Sequence, residues 1–149
     1  MPPIKGRFLI DTNVLIYATL ADDPRSARAR QVIERGREAD CDALVSVQNL
    51  AEMYPNLTGP KKQPPDSPAE ARAKIAQLAA LPYVEVLPLT ASILLRALEL
   101  AEEHGVRRQK YFDMQLAATL LVNNIPTLVT ENVADFAGIP QLRVVNPFS

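Results

Sequence analysis

Short apolar runs alternate with helical stripes along the chain. Residues 7–10, Arg7-Phe8-Leu9-Ile10, are too few for a helix and are closed by the polar triplet Asp11-Thr12-Asn13. That pattern predicts a buried strand ending in a turn. Val14-Leu15-Ile16-Tyr17-Ala18 is apolar again, now at helical spacing. Asp11 is therefore expected at the carboxyl end of the first strand and at the doorway to a helix.

The same alternation continues. Ala21-Asp22-Asp23-Pro24 marks a turn, and a helix is expected over about 25–39, its arginines at 25, 28, 30, 35 and 37 suited to a solvated face. Residues 43–46 read as a second strand, followed by a helix over about 47–56 that carries Glu52 in its second turn. Residues 58–68 contain four prolines and read as an exposed loop. Ser67 and Glu70 have the spacing of a capping box for a helix that stops before Pro82. Residues 84–87 form a third strand. A helix follows over 90–104, with Ile93, Leu94, Ala97, Leu98 and Ala101 expected on one face and Gly105 as its C-cap. Residues 111–124 make the most apolar helix, with Phe112, Leu116 and Leu120 recurring every fourth position. Strands over 127–129 and 142–145 close the chain. Strands alternating with helices imply an α/β domain whose parallel sheet is covered on both faces.

Composition changes this picture little. The 149 residues suit one domain, large enough to bury roughly 68–70% of its unfolded surface. With 48% apolar and 22% charged residues the chain reads as an ordinary soluble protein. Its single cysteine, Cys41, excludes an internal disulfide and a cysteine zinc site. Cys41 is expected as a small apolar residue near a strand start. No apolar run reaches the ~18 residues of a membrane span and the N-terminus lacks a signal-peptide pattern, so a cytoplasmic protein is expected. The net charge of −1 advertises no broad nucleic-acid surface; polyanion binding would need local basic clusters or a metal ion. His104, the only histidine, falls in the last turn of its helix, where a cation suits the macrodipole.

The acids matter more. Asp11 ends the first strand. Glu52, five residues into the helix leaving the second strand, lies about 8 Å below the sheet's carboxyl edge at ~1.5 Å rise per residue. Asp113 begins a helix that feeds the strand at 127–129, so it lies at the same edge. Glu131, Asn132 and Asp135 follow that strand directly. Each has an innocent use as a cap or a helix-surface residue. Their convergence on one edge is harder to explain so. Clustered carboxylates repel unless a cation sits among them, and oxygen donors select a hard ion such as Mg²⁺ or Mn²⁺. Such an ion activates water and clamps phosphate oxygens in displacement at phosphorus. Arg107, Arg108 and Lys110 precede Asp113 and are candidate phosphate (RNA-binding) contacts, as are Lys61 and Lys62 in the proline-rich loop.

On these residues the chain resembles the PIN-domain nucleases, and among them the VapC-type toxins of toxin–antitoxin pairs. The matching stretches are residues 9–18 (Leu-Ile-Asp-Thr-Asn-Val-Leu-Ile-Tyr-Ala), 46–52 (Ser-Val-Gln-Asn-Leu-Ala-Glu), 111–118 (Tyr-Phe-Asp-Met-Gln-Leu-Ala-Ala) and 128–136 (Leu-Val-Thr-Glu-Asn-Val-Ala-Asp-Phe). Their order covers essentially the whole chain. The resemblance implies a single three-layer α/β/α domain over 1–149 with a central, mainly parallel sheet. It further implies a homodimer that cuts RNA, such as tRNA, with Mg²⁺ or Mn²⁺, and a cognate antitoxin lying along a groove beside the site. Asp11, Glu52 and Asp113 match the three core acids. Asp11 and Asp113 would be metal ligands, and Glu52 would bind metal or orient the attacking water. Thr12, Asn13 and Thr130 would hold the carboxylates. The fourth acidic position of many relatives is here Asn132, flanked by Glu131 and Asp135, either of which could supply the carboxylate.

Two other readings compete with this one. A catalytically silent module that binds RNA or protein would not need three core acids. A receiver-like phosphotransfer domain would want adjacent acids after the first strand and a lysine after a late one, and neither is present.

Overall fold

The computed structural model describes residues 4–149; residues 1–3 of the expected domain lie outside the described residues. Five strands alternate with six helices: β1 Gly6–Ile10, α1 Thr12–Thr19, α2 Ser26–Glu34, β2 Cys41–Ser46, α3 Val47–Thr58, α4 Pro68–Ala79, β3 Val84–Leu87, α5 Ala91–Glu103, α6 Tyr111–Val122, β4 Thr127–Val129 and β5 Arg143–Val145. Single 3₁₀ turns occupy Arg35–Arg37, Arg108–Lys110 and Val133–Phe136.

The sheet order is β3-β2-β1-β4-β5, and every pairing is parallel. Leu9 faces both Leu44 and Leu128 in register. Because successive strand side chains point to opposite faces, two cores form. Phe8, Ile10, Ala43 and Val45 pack against α1 to α4, whereas Leu9, Leu44 and Leu128 pack against α5, α6 and Phe136. The result is a three-layer α/β/α sandwich, as the alternation of elements implies. The chain winds outward from β1 through β2 to β3, then returns to lay β4 on the other side of β1. The switch point lies between β1 and β4, where crevices form outside the carboxyl ends of strands.

Local signals place the elements. Asp11 caps α1 by accepting from Thr12 N. Ser46 and Asn49 form a reciprocal capping box on α3, and Ser67 and Glu70 form the expected one on α4, with Pro68 in its first turn. Gly105 takes the left-handed conformation past α5, with Val106 N bonded to Ala101 O and Gly105 N to Glu102 O. Asn124 does the same past α6. His104 is the C-cap residue of α5, and Cys41 is a buried residue opening β2.

Three expectations need correction. The helix expected over 25–39 stops at Glu34 because the chain must tighten at Gly36, where an added Cβ would meet the Tyr83 carbonyl at 2.3 Å. Arg25 lies outside that helix and is half-buried against other side chains rather than on a solvated face. On α5 the buried stripe is Ile93, Ala97 and Leu100, leaving Leu94, Leu95 and Leu98 exposed. Phe112 is likewise 44% exposed although Leu116 and Leu120 are buried, since it sits on the first turn of α6, against the cavity that Asp11 and Glu52 also line. Among the described residues no helix is long and apolar enough to cross a membrane.

Candidate active site at the switch point

Asp11 stands where β1 meets β4, its backbone N–H still bonded to Val129 O. Its carboxylate is buried and held from both sides by neutral donors. Oδ1 accepts from Thr12 N at 2.7 Å and Asn49 Nδ2 at 3.3 Å, while Oδ2 accepts from Thr130 Oγ1 at 2.8 Å. Thr130 is aimed by its own neighbours: its hydroxyl accepts from Asn13 Nδ2 at 3.1 Å and Asn132 N at 3.0 Å. Asn13 Oδ1 accepts in turn from Glu131 N. The acid therefore rests on a scaffold drawn from α1, α3 and the loop after β4.

Glu52 faces the same space from α3. Gln48 Nε2 donates to Glu52 Oε1 at 2.9 Å, and Thr12 Oγ1 lies 3.3 Å from Glu52 Oε2. Gln48, one turn earlier on α3, also donates to Phe112 O and accepts from Gln115 Nε2, so it ties α3 to α6. Asp113, in the first turn of α6, has no hydrogen-bond or ion-pair partner among the described residues. None of the three carboxylates is paired with a cation there either.

The electrostatics follow. Burial, opposed by the Thr130 and Thr12 hydrogen bonds and reinforced by the charges of Glu52 and Asp113, pushes the Asp11 carboxyl up to about 6. Asp113 is also raised, by burial first and then by the charges of Asp135 and Glu52, against a lowering from Lys110. The site is a region of unneutralised negative charge. Asp11, Glu52 and Asp113 line two adjoining cavities of about 520 and 440 Å³. A tighter trio of potential ligand atoms, within 4.8 Å of one another, occurs at Glu38, Asp40 and Cys41. It lies at the start of β2, at the opposite end of the sheet; Glu38 is engaged by Arg35, and burial pushes the Cys41 thiol up.

The flanking groups divide. Asn132 lines the larger cavity beside Asp11 and Asp113. Glu131 is engaged elsewhere, accepting from the Tyr17 hydroxyl at 2.6 Å and from Arg25 at 3.1 Å. Burial and that bond push the Tyr17 hydroxyl up to about 12. Asp135 pairs with Lys110 at 3.0 Å. Arg107 and Arg108 are exposed and line neither cavity. Cations that do line the larger one are Arg25, Lys61 and Lys62. Arg25 stacks over the Tyr17 ring and is bonded to Asp23 and Glu131, and Lys62 is bonded to Asp66. Lys61 has no partner among the described residues. The amides of Gln48, Asn49 and Gln115 escaped sequence reasoning as site residues. The one local signal was Gln48 four positions before Glu52, which places both on one helix face.

A parallel three-layer sheet with wired carboxylates at its switch point defines a class, the α/β domains built to bind or process a ligand at that edge. The chain belongs to the PIN domain family, whose profile matches residues 8–140. Its fold matches that of a toxin–antitoxin complex from Klebsiella pneumoniae (27% identity, 93% of this chain and 96% of that one, TM-score 0.60). It also matches VapBC2 from Rickettsia felis bound to a promoter DNA fragment (22%, 94% and 98%, 0.67). A third match is VapC20 from Mycobacterium tuberculosis, a sarcin–ricin loop cleaving toxin (19%, 81% and 86%, 0.62). No curated protein matches by sequence.

Proposed function

We propose that this chain is a metal-dependent endoribonuclease that acts in the cytoplasm as the toxin of a type II toxin–antitoxin pair. The observation that carries the reading is the set of three carboxylates, Asp11, Glu52 and Asp113, which line shared cavities with no cation paired to any of them among the described residues. An all-oxygen donor set with a deficit of positive charge fits a hard divalent ion. Asp11 and Asp113 would hold Mg²⁺ or Mn²⁺, with Glu52 as a third ligand or as the group orienting the attacking water. When bound, that ion supplies a Lewis acid for a phosphate oxygen and a route to hydroxide at neutral pH.

The chain's own residues do the positioning. Thr130, Asn13 and Asn49 keep Asp11 in one orientation, and Gln48 keeps Glu52 in its own. With its carboxyl at about 6, Asp11 is mostly ionised at pH 7 and ready to ligate. Lys61, on the cavity wall and without a partner among the described residues, meets the incoming phosphodiester; Arg107, Arg108 and Lys110 serve RNA further from the reacting phosphate. The toxin assignment draws on the toxin–antitoxin complexes sharing this fold, and it implies a cognate antitoxin. The exposed Leu94, Leu95 and Leu98 of α5 suit a homodimer contact.

The test is cleavage of total RNA and purified tRNA by the isolated protein, with and without Mn²⁺ or Mg²⁺, beside Asp11→Asn and Asp113→Asn. Metal-dependent cutting lost in both variants is the expected result. Neither cutting nor metal binding would leave only a binding module.

A further inference from the structure

Asp11, Glu52 and Asp113 line two cavities whose remaining lining differs. Arg25, Lys61 and Lys62 line one. The other, about 440 Å³, is bounded by Phe112 and Leu116 of α6 and by the amides of Gln48 and Gln109. Phe112 is 44% exposed on a helix whose other large apolar residues near it are buried. Its position is nevertheless set. Tyr111 meets its ring edge-on with centroids 5.3 Å apart, and its carbonyl accepts from Gln48 Nε2 at 2.9 Å. The Gln48 amide is fully used, donating to Glu52 and Phe112 O and accepting from Gln115. Gln109 is exposed, and its amide has no partner among the described residues.

We propose that Phe112 and Gln109 form a nucleobase subsite, in which the base beside the scissile phosphate stacks on Phe112 and its edge bonds to the Gln109 amide. The inference rests on the ribonuclease reading and narrows it to unpaired RNA. A base in an A-form helix is stacked between its neighbours and offers no face to a side chain, whereas a loop or bulge nucleotide can be splayed onto an aromatic ring. An amide, carrying both a donor and an acceptor, can read a base edge. The division of the site then orders the strand: backbone towards Lys61, base towards Phe112, and the reacting phosphorus between them at the carboxylates.

The experiment titrates Asp11→Asn protein, which should not cut, with short single-stranded RNAs carrying 2-aminopurine, in Mg²⁺, and reads affinity and fluorescence. Phe112→Ala in that background should weaken binding on the order of 10-fold and abolish the quenching that stacking produces, and Phe112→Trp should restore both. Gln109→Ala should lose less affinity but flatten the preference among oligonucleotides of the four bases. Unchanged affinity and fluorescence in Phe112→Ala overturns the subsite. So does a change in sedimenting mass without a change in quenching, which would make Phe112 part of a protein contact. If the wild type cuts RNA while Phe112→Ala behaves normally, only the subsite fails. If the wild type cuts none and Asp11→Asn binds none, the ribonuclease reading fails with it.

Discussion

Two buried aspartates in this molecule receive opposite treatment. Asp66, near the end of the proline-rich loop, is 6% exposed and carries Lys62 and Lys74 on its two oxygens, each at 2.9 Å. Burial alone would push its carboxyl up, but the bonds from Lys74 and Lys62 outweigh it and hold it below the ordinary value. Asp11 is 8% exposed and receives only neutral donors among the described residues, so burial wins and its carboxyl rises to about 6. The first is a finished structural joint between the loop and α4. The second is a charge the fold orients but leaves without a cationic partner among the described residues, which suits the metal-ligand role proposed for it.

That contrast can be broken first by activity. Asn at position 11 or 113 should lower RNA cleavage on the order of 10³-fold or more, since several kcal/mol of transition-state stabilisation go with the ion. Asn at position 66 should leave the cleavage rate of the folded protein within a few-fold. Comparable losses in all three, measured on an RNA the wild type cuts, would erase the distinction.

Stability against pH sharpens it next. A carboxyl whose folded pKa is raised binds more protons in the native state. The metal-free protein should therefore lose stability as pH rises from about 4 through about 6, on the order of 2–3 kcal/mol from Asp11. Asp66 has the opposite sign: its stabilisation is present above the unfolded pKa and is lost as pH falls through the lowered folded one. Urea unfolding across this range should show the Asp11 component vanish in Asp11→Asn and the acid-side loss shrink in Asp66→Asn. Mg²⁺ or Mn²⁺ should restore about 2.7 kcal/mol at a hundred times its dissociation constant, in wild type but not in Asp11→Asn.

At neutral pH without metal, Asp66→Asn should cost about 2 kcal/mol, as expected for charge-assisted bonds between partly buried groups. Asp11→Asn should cost less or nothing, because it removes an unpaired charge. Chemical denaturation of the two variants side by side decides this. The smallest effect belongs to Lys61→Ala. Removing one phosphate contact should reduce the slope of log affinity against log salt for single-stranded RNA by about 0.7. Arg25→Ala, whose charge is spent on Asp23 and Glu131, should change that slope less.

The elements and their order were legible because hydrophobic periodicity is local. So were the caps at Ser67 and Gly105, whose chemistry spans a few residues. The gathering of Asp11, Glu52 and Asp113 was legible as well: strand–helix alternation forces strand ends and the helix start before β4 to one edge. What the pattern misplaced depended on distant contacts. The helix through Gly36 stops early for a carbonyl 47 positions away at Tyr83. Phe112 keeps the spacing of a core residue but faces a cavity that only the packing of α3 against α6 creates.

An α/β chain with acids converging on the carboxyl edge of a parallel sheet thus follows from period and alternation alone. How those acids are held and which cations reach them depend on the packed fold. Strand order set Thr130 against Asp11 across 119 positions and Gln115 against Gln48 across 67. It kept Arg107 and Arg108 off the cavity walls and put Lys61 on one. Such pairings have no local signature, because they depend on which strand lies beside β1.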